Sequence, residues 1–370
     1  MKITSVEAIY LSLPEISART DSSRDALLVK VTTDSGIVGW GEVDSSPAMA
    51  KAIIEAPFSH TLSSGLAHLL IGENPLDTSR LWSKMYESTL YCGRNGAVIH
   101  AMAGIDIALW DIKGKALGLP IVDLVGGAMR EKMRVYSSNM FQFTLEDTVA
   151  RAKAAVDTGH TGVKFGWEPF GTDDARDLAY VEGIRKAIGD DVDFMLDVGL
   201  IWDAKTTIRR GKAYEPYNLF WIEEPLHPDD YSGYGRASAA CVQRIAAGEE
   251  ECVAHGFHRL IDEGGIDVVQ IDLTRVGLTK ALEIAAYAHS RGRKVCNHNF
   301  TTDINTAISL HFLCAIPNAL VMEYCVEPSE ISQKLARNPV SIRDGYAHLP
   351  SEPGLGVEPN EEIIEKYLVA

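Results

Sequence analysis

The sequence predicts an α/β protein: a TIM-like barrel, (β/α)7β or (β/α)8, preceded by a smaller α+β unit. Three observations carry this. After residue 125, eight short apolar or β-branched runs alternate with helical stretches. Polar residues near the ends of successive runs recur at intervals of 26, 26, 23, 26 and 25, from Asp197 through Glu223, Glu249, Asp272 and His298 to Glu323. A strand, a helix and two short loops fill about that length. Neither GxGxxG nor GxxxxGK[ST] occurs, so the signature of an open nucleotide-binding sheet is missing. Eight units then favour closure into a barrel.

The elements follow in order. In residues 1–125, KITSVEAIYLSL reads as one strand, and ALLVKVTTDSGIVGWGEV as two joined at Asp34-Ser35-Gly36. Pro14 to Asp25, polar and rich in Ser and Arg, reads as a mobile loop. A second polar stretch runs from Asp44 to Ala50. Helical patterning then holds from Lys51 to Lys115, clearest in GAVIHAMAGIDIALWDIKGKALG, which stops near Gly118-Leu119-Pro120. In residues 126–339 the strands are RVYSSNM, GVKFGW, DFMLDV, LFWIEE, RIAAGE, DVVQID, KVCNHN and LVMEYC. After the last, only a short helix fits, from Pro328 to Leu335. The segment 340–370, rich in Pro and Gly, is expected to pack back on the N-terminal unit.

Composition bounds the function. The chain has 370 residues, of which 46% are hydrophobic and 23% charged; this is ordinary for a globular protein and excludes wholesale disorder or a collagen-like fibre. No apolar run reaches the ~18 residues of a membrane span. Lys and Arg total 35 against 51 Asp and Glu, a net charge of −16. Such a surface repels phosphate backbones, so no nucleic-acid partner is expected. Anionic small substrates stay open, because a bound cation reverses the local field. The cysteines at 92, 241, 252, 296, 314 and 325 form no CxxC pair and read as reduced thiols of a cytoplasmic protein. The opening MKITSVEAIYLSLP lacks the apolar core of a signal peptide.

The active site of a barrel lies at the C-terminal ends of its strands. Those ends carry Lys164, Asp197, Glu223, Glu249, Asp272, His298 and Glu323 in chain order. Carboxylates converging there repel in low dielectric and call for a cation. All-oxygen ligation by Asp197, Glu223 and Glu249 suits a hard divalent ion. Taken singly, each reads better as part of a solvated acidic rim; the matched spacing of the set points to metal. Asp272 and His298 end neighbouring strands, so the carboxylate can accept from Nδ1–H and fix the tautomer, although a lone His there reads as structural. Lys164 is a cation near a substrate carboxylate, a second base, or a salt-bridge partner.

These motifs resemble the enolase superfamily, mandelate racemase subgroup (the mandelate racemase/muconate lactonizing enzyme family), over essentially the whole chain. The N-terminal unit resembles that family's capping domain through GWGEV, IEAPFSH and GIDIALWDIKGKALGLPIVDLVGG. The barrel carries Asp197 in LDVG, Glu223 in WIEEP, Glu249 in AAGEE, Asp272 in QIDLTRVG, His298 in CNHNF and Glu323 in VMEYC. The resemblance implies one Mg²⁺ per subunit, with Mn²⁺ as a substitute, and a base that removes the proton alpha to a substrate carboxylate. It implies that Glu323 donates a hydrogen bond to that carboxylate, and that the chain forms a homo-oligomer, from dimer to octamer.

Two departures matter. Many subgroup members have Lys-x-Lys where this chain has Lys164-Phe165-Gly166, and several carry Asn where it has Gly199. Without the second lysine, a racemase lacks its base on the other face. His298 is then the main base and Lys164 an electrostatic partner, while Trp167 and Glu168 fill the vacated space. The leading expectation is a dehydratase that converts an aldonate or aldarate to a 2-keto-3-deoxy acid. The alternatives are a cycloisomerase of a sugar-acid lactone or anhydro sugar acid, a racemase or epimerase, and, from another class, a non-catalytic metal-binding structural protein. Substrate choice falls to the loops Ile16–Asp25, with Arg19 and Arg24, and Asp44–Ala50.

Overall fold

The structure is a computed structural model that describes residues 1–16 and 24–369. Most of the first predicted loop, Arg19 included, lies outside the described residues. The chain opens with an antiparallel sheet of β1 (Ile3–Ser12), β2 (Asp25–Thr33) and β3 (Val38–Val43) in sequential order. The longer helices of the unit are α1 (Pro47–Glu55), α2 (Thr78–Glu87) and α3 (Ala97–Leu117), and the short helix Leu66–Leu70 lies against β1. The second predicted loop is shorter than expected, because α1 already starts at Pro47. Proline costs no hydrogen bond in a first turn, and Ala50 and Ile54 are drawn into the core.

Helix α3 is buried on nearly every face, because the sheet covers one side and the barrel the other. It lies directly on the GWG stretch of β3. A Cβ at Gly41 would sit 1.9 Å from the Gly104 carbonyl oxygen, and one at Gly39 would sit 2.1 Å from that of Ala108. Only glycine permits so close an approach.

All eight predicted barrel strands are present: β4 (Lys132–Met140), β5 (Gly162–Gly166), β6 (Asp193–Asp197), β7 (Leu219–Glu223), β8 (Arg244–Ala247), β9 (Val268–Ile271), β10 (Lys294–Asn297) and β11 (Met322–Cys325). Parallel ladders join β4 to β10 in chain order, and β11 pairs with β4. At the seam between β10 and β11, Val295 and Ala319 form an isolated bridge. There the Asn297 side chain also stands in for a ladder, accepting from Glu323 N at 2.8 Å and donating to Glu323 O at 3.3 Å. Each of the first seven strands is followed by a helix, β9 by two in succession (Leu273–Val276 and Leu278–Ser290), and β11 by the short helix Glu330–Lys334 ahead of the terminal segment with its helix Glu361–Tyr367. The architecture is therefore (β/α)7β.

Strand periodicity turns this topology into a site. Tyr136, Met195, Trp221, Ala246, Val268, Cys296 and Val321 make one apolar layer inside the barrel. Side chains two residues further along point the same way, toward the mouth. Those positions are Ser138, Asp197, Glu223, Gly248, Gln270, His298 and Glu323. The segment after the barrel touches both units. Its hairpin, β12 (Ser341–Arg343) and β13 (Tyr346–His348), extends β4, and Leu368 bridges Leu11 of β1.

Two buried polar groups of α3 and the barrel lend themselves to test. Asp106 reaches from α3 to the first turn of the helix Leu278–Ser290, accepting from Thr279 N at 2.9 Å and from Thr279 Oγ1 at 2.6 Å. Asp106→Ala strands both donors and should cost about 1–3 kcal/mol in denaturant unfolding; Asp106→Asn should cost less. His311, on the helix Asp303–Ala315, accepts from Val122 N through Nδ1 and donates from Nε2 to the Leu355 carbonyl. Burial pushes its pKa down to about 4 from the ordinary 6.5. The unfolded chain then binds the extra proton first on acidification. Stability should fall as pH drops from about 6.5 toward 4, and His311→Gln should flatten that slope by up to about 3 kcal/mol across the window.

Candidate active site

At the bottom of the mouth, the Lys164 ammonium lies between two carboxylates. It pairs closely with Glu223 Oε1 and, at 2.6 Å, with Glu323 Oε1, while Asp197 Oδ2 stands 4.0 Å away. Glu223 also accepts from Trp221 Nε1 at 2.8 Å. Asp197 neighbours Glu223 in the ladder and accepts from Gly199 N at 2.9 Å. Across the β9–β10 ladder, His298 Nδ1 lies 2.6 Å from Asp272 Oδ2. The ionised Asp272 carboxylate can only accept, so Nδ1 carries a proton and Nε2 faces the mouth. Asp272 Oδ1 is held by Thr274 N and Oγ1 at 2.7 and 2.5 Å. The seven predicted residues thus share one region, around a cavity of about 160 Å³ that Lys164, Asp197, Glu249 and His298 line.

The electrostatics are those of buried acid. Burial pushes Glu223 up to about 8 and Glu249 up to about 7 despite neighbouring cations, and raises Asp197 as well. Burial acts against the charge on Asp272 too, but His298 and Arg275 outweigh it and hold the carboxyl at about 2. His298 shows the reciprocal effect: desolvation lowers it, and Glu249 and Asp272 more than reverse that. Its Nε2 lies 3.6 Å from Glu249 Oε1.

Glu323, expected to face the substrate carboxylate, is surrounded by donors of the chain itself. Oε1 accepts from Ser138 Oγ at 2.7 Å, and Oε2 accepts from Asn299 N at 2.8 Å. Burial raises its pKa, but Lys164 and His298 bring it below the ordinary carboxylate range. In this arrangement its carboxylate accepts from Ser138 and Asn299 and anchors the Lys164 ammonium.

The predicted ligand triad is also not the tightest acidic group. Carboxylate oxygens within 4.8 Å of one another come from Glu224, Glu249 and Glu250, while Glu223 faces Lys164. A second such group joins Asp272 and His298 to Asp44 of the N-terminal unit. The donors nonetheless fit a hard divalent cation. They are all oxygen, burial raises their pKa values, and Glu249 Oε2 is buried with no hydrogen-bond partner.

Gly166 has a physical reason. A Cβ there would lie 2.7 Å from Asp197 Oδ2, so a lysine could stand at 166 only if Asp197 moved. Sequence reasoning missed the N-terminal unit's contribution. Glu42 Oε2 accepts from Thr302 Oγ1 at 2.8 Å and Asn305 N at 3.1 Å, and burial pushes its pKa up to about 8. Asp44 pairs with Arg275 at 2.8 Å, and Arg275 donates to the Glu249 carbonyl at 2.8 Å. The available signal was the GWGEVD run, whose last carboxylates end a strand just as those of the barrel do.

Comparison with known proteins agrees with this geometry. Residues 3–126 match the mandelate racemase / muconate lactonizing enzyme N-terminal domain, and residues 147–363 match the enolase C-terminal domain-like family. The chain is 30% identical to a D-galactarolactone cycloisomerase of Agrobacterium fabrum over 99% of both chains. It is 33% identical to a D-galactonate dehydratase of Pectobacterium atrosepticum over 91% of this chain and 90% of that one. The crystal structure of the 3,6-anhydro-D-galactonate cycloisomerase from Zobellia galactanivorans superposes with a TM-score of 0.91 at 29% identity, covering all of both chains. With both domains matched, a capped barrel and acidic groups converging on its mouth, the chain belongs to the mandelate racemase/muconate lactonizing enzyme family of the enolase superfamily.

Proposed function

We propose that this enzyme dehydrates a sugar acid, an aldonate or aldarate, to a 2-keto-3-deoxy acid, with His298 as the base and Mg²⁺ as the divalent ion. The observation that carries the reading is the arrangement of bases. His298 is oriented by Asp272 at 2.6 Å with Nε2 toward the mouth, Lys164 is engaged by Glu223 and Glu323, and residue 166 has no side chain. A single base suits a syn elimination. Nε2 takes the alpha proton, and the C–H electron pair passes toward the substrate carboxylate. The 3-hydroxyl then leaves with the C–O pair and takes the proton back from Nε2, so that water departs and the enol tautomerises to the keto acid. Asp197, Glu223 and Glu249 would hold Mg²⁺, with Glu224 and Glu250 beside them. The ion would supply positive charge against the charge developing on the carboxylate. Lys164 adds a second fixed positive charge.

Cycloisomerisation is the second reading. Two relatives that match over the full length of both chains are named for that reaction. It too needs one base. A screen of aldonates, aldarates and their lactones with Mg²⁺, reading 2-keto acid formation, separates the two.

Two outcomes check the roles. EDTA should abolish turnover and Mg²⁺ restore it; full activity of metal-free protein would remove the ion from the scheme. His298→Asn should keep substrate binding but lose turnover by about 10²- to 10⁴-fold. Exchange of the alpha hydrogen with deuterated solvent should fall with it. Wild-type exchange in that variant would transfer the role of base to Lys164.

A further inference from the structure

Trp167 takes no part in the chemistry above. Its side chain is 50% exposed at the rim of the cavity that Lys164, Asp197 and His298 line. Its backbone is left-handed, with φ at 67°, a conformation unfavourable for a bulky residue and kept where surrounding structure enforces it. The enforcement is visible. Phe170 stacks on Phe141 with ring centroids 4.7 Å apart, and its N–H returns to the Trp167 carbonyl at 3.2 Å. Gly171 N donates to Asp177 Oδ2 at 2.9 Å, and its carbonyl accepts from Trp202 Nε1 at 2.7 Å. The indole lies over Gly199, where an added Cβ would come within 3.6–3.9 Å of three of its ring atoms. The two departures from the family pattern, Gly166 and Gly199, thus sit beside and beneath one fixed aromatic face in a mouth of charged groups.

We propose that Trp167 is a specificity-determining residue: its indole is the platform on which the C–H face of a polyhydroxyl chain packs when the carboxylate end occupies the acidic site. The inference rests on the sugar-acid reading and narrows it to substrates with a chain beyond the reacting carbons. C–H groups carry partial positive charge that suits the negative face of an aromatic ring. The hydroxyls at the edges of the chain stay in contact with solvent. A three-carbon acid ends before the platform.

Calorimetric dissociation constants and turnover should be measured on the full-length, Mg²⁺-loaded protein with glycerate and with six-carbon aldonates. Trp167→Ala should weaken binding of the six-carbon acids at least tenfold, raise KM more than it lowers kcat, and change glycerate binding less than twofold. Trp167→Phe, which keeps a ring, should recover most of the loss. Equal losses for short and long acids, or no loss in Trp167→Ala, would overturn the platform. Wild-type protein that binds long acids with this dependence on Trp167 but forms no keto acid would overturn the reaction and leave the platform standing. Wild-type protein that binds no aldonate would overturn both.

Discussion

Everything at the barrel mouth depends on how buried negative charge is compensated. The Lys164 ammonium between Glu223 and Glu323 is the centre of that compensation. A buried lysine alone would lose its proton. Here the surrounding carboxylates raise its pKa well above the usual value in spite of desolvation. The remaining acids follow in turn: Glu323 is ionised because Lys164 is near, Asp272 because His298 is near, while Glu223 and Glu249 stay short of positive charge. That shortfall makes an oxygen-lined site attractive to a divalent cation.

The N-terminal unit belongs to the same electrostatic system. β3 uses two glycines to lie against α3, and its Glu42 and the Asp44 just past its end reach the barrel. Glu42 sits against the first turn of the helix Asp303–Ala315, whose Asn305 also approaches Asp272 Oδ1 at 3.4 Å. Asp44 engages Arg275, which in turn holds the backbone at Glu249. The dyad and the acidic cluster are therefore supported from outside the barrel as well as from within.

The barrel was legible in the sequence because its signals are local. β-branched runs mark strands, and the two-residue period puts Asp197, Glu223, His298 and Glu323 on the inner face with their apolar neighbours. Contacts such as Glu42 to Thr302, or Asp44 to Arg275, join residues more than two hundred positions apart and leave no trace in spacing. The start of α1 was misplaced because Ser and Pro read as loop when the burial of Ala50 and Ile54 is unseen. The surroundings of Glu323 left no trace either, because a resemblance names a residue type and not its partners, which here are Lys164, Ser138 and the Asn299 N–H.

The join between β10 and β11 has a mechanical meaning. Seven neighbouring pairs in the barrel are zipped by repeating backbone ladders, whereas this pair is joined by one isolated bridge, the Asn297 side-chain amide and the bond from Asn299 N to the Glu323 carboxylate. His298 follows one of its strands and Glu323 lies on the other. The imidazole and the carboxylate that anchors the ammonium are thus set relative to each other by side chains rather than by a backbone ladder, so a substitution at Asn297 bears on the site's geometry as directly as one at a residue of the site itself.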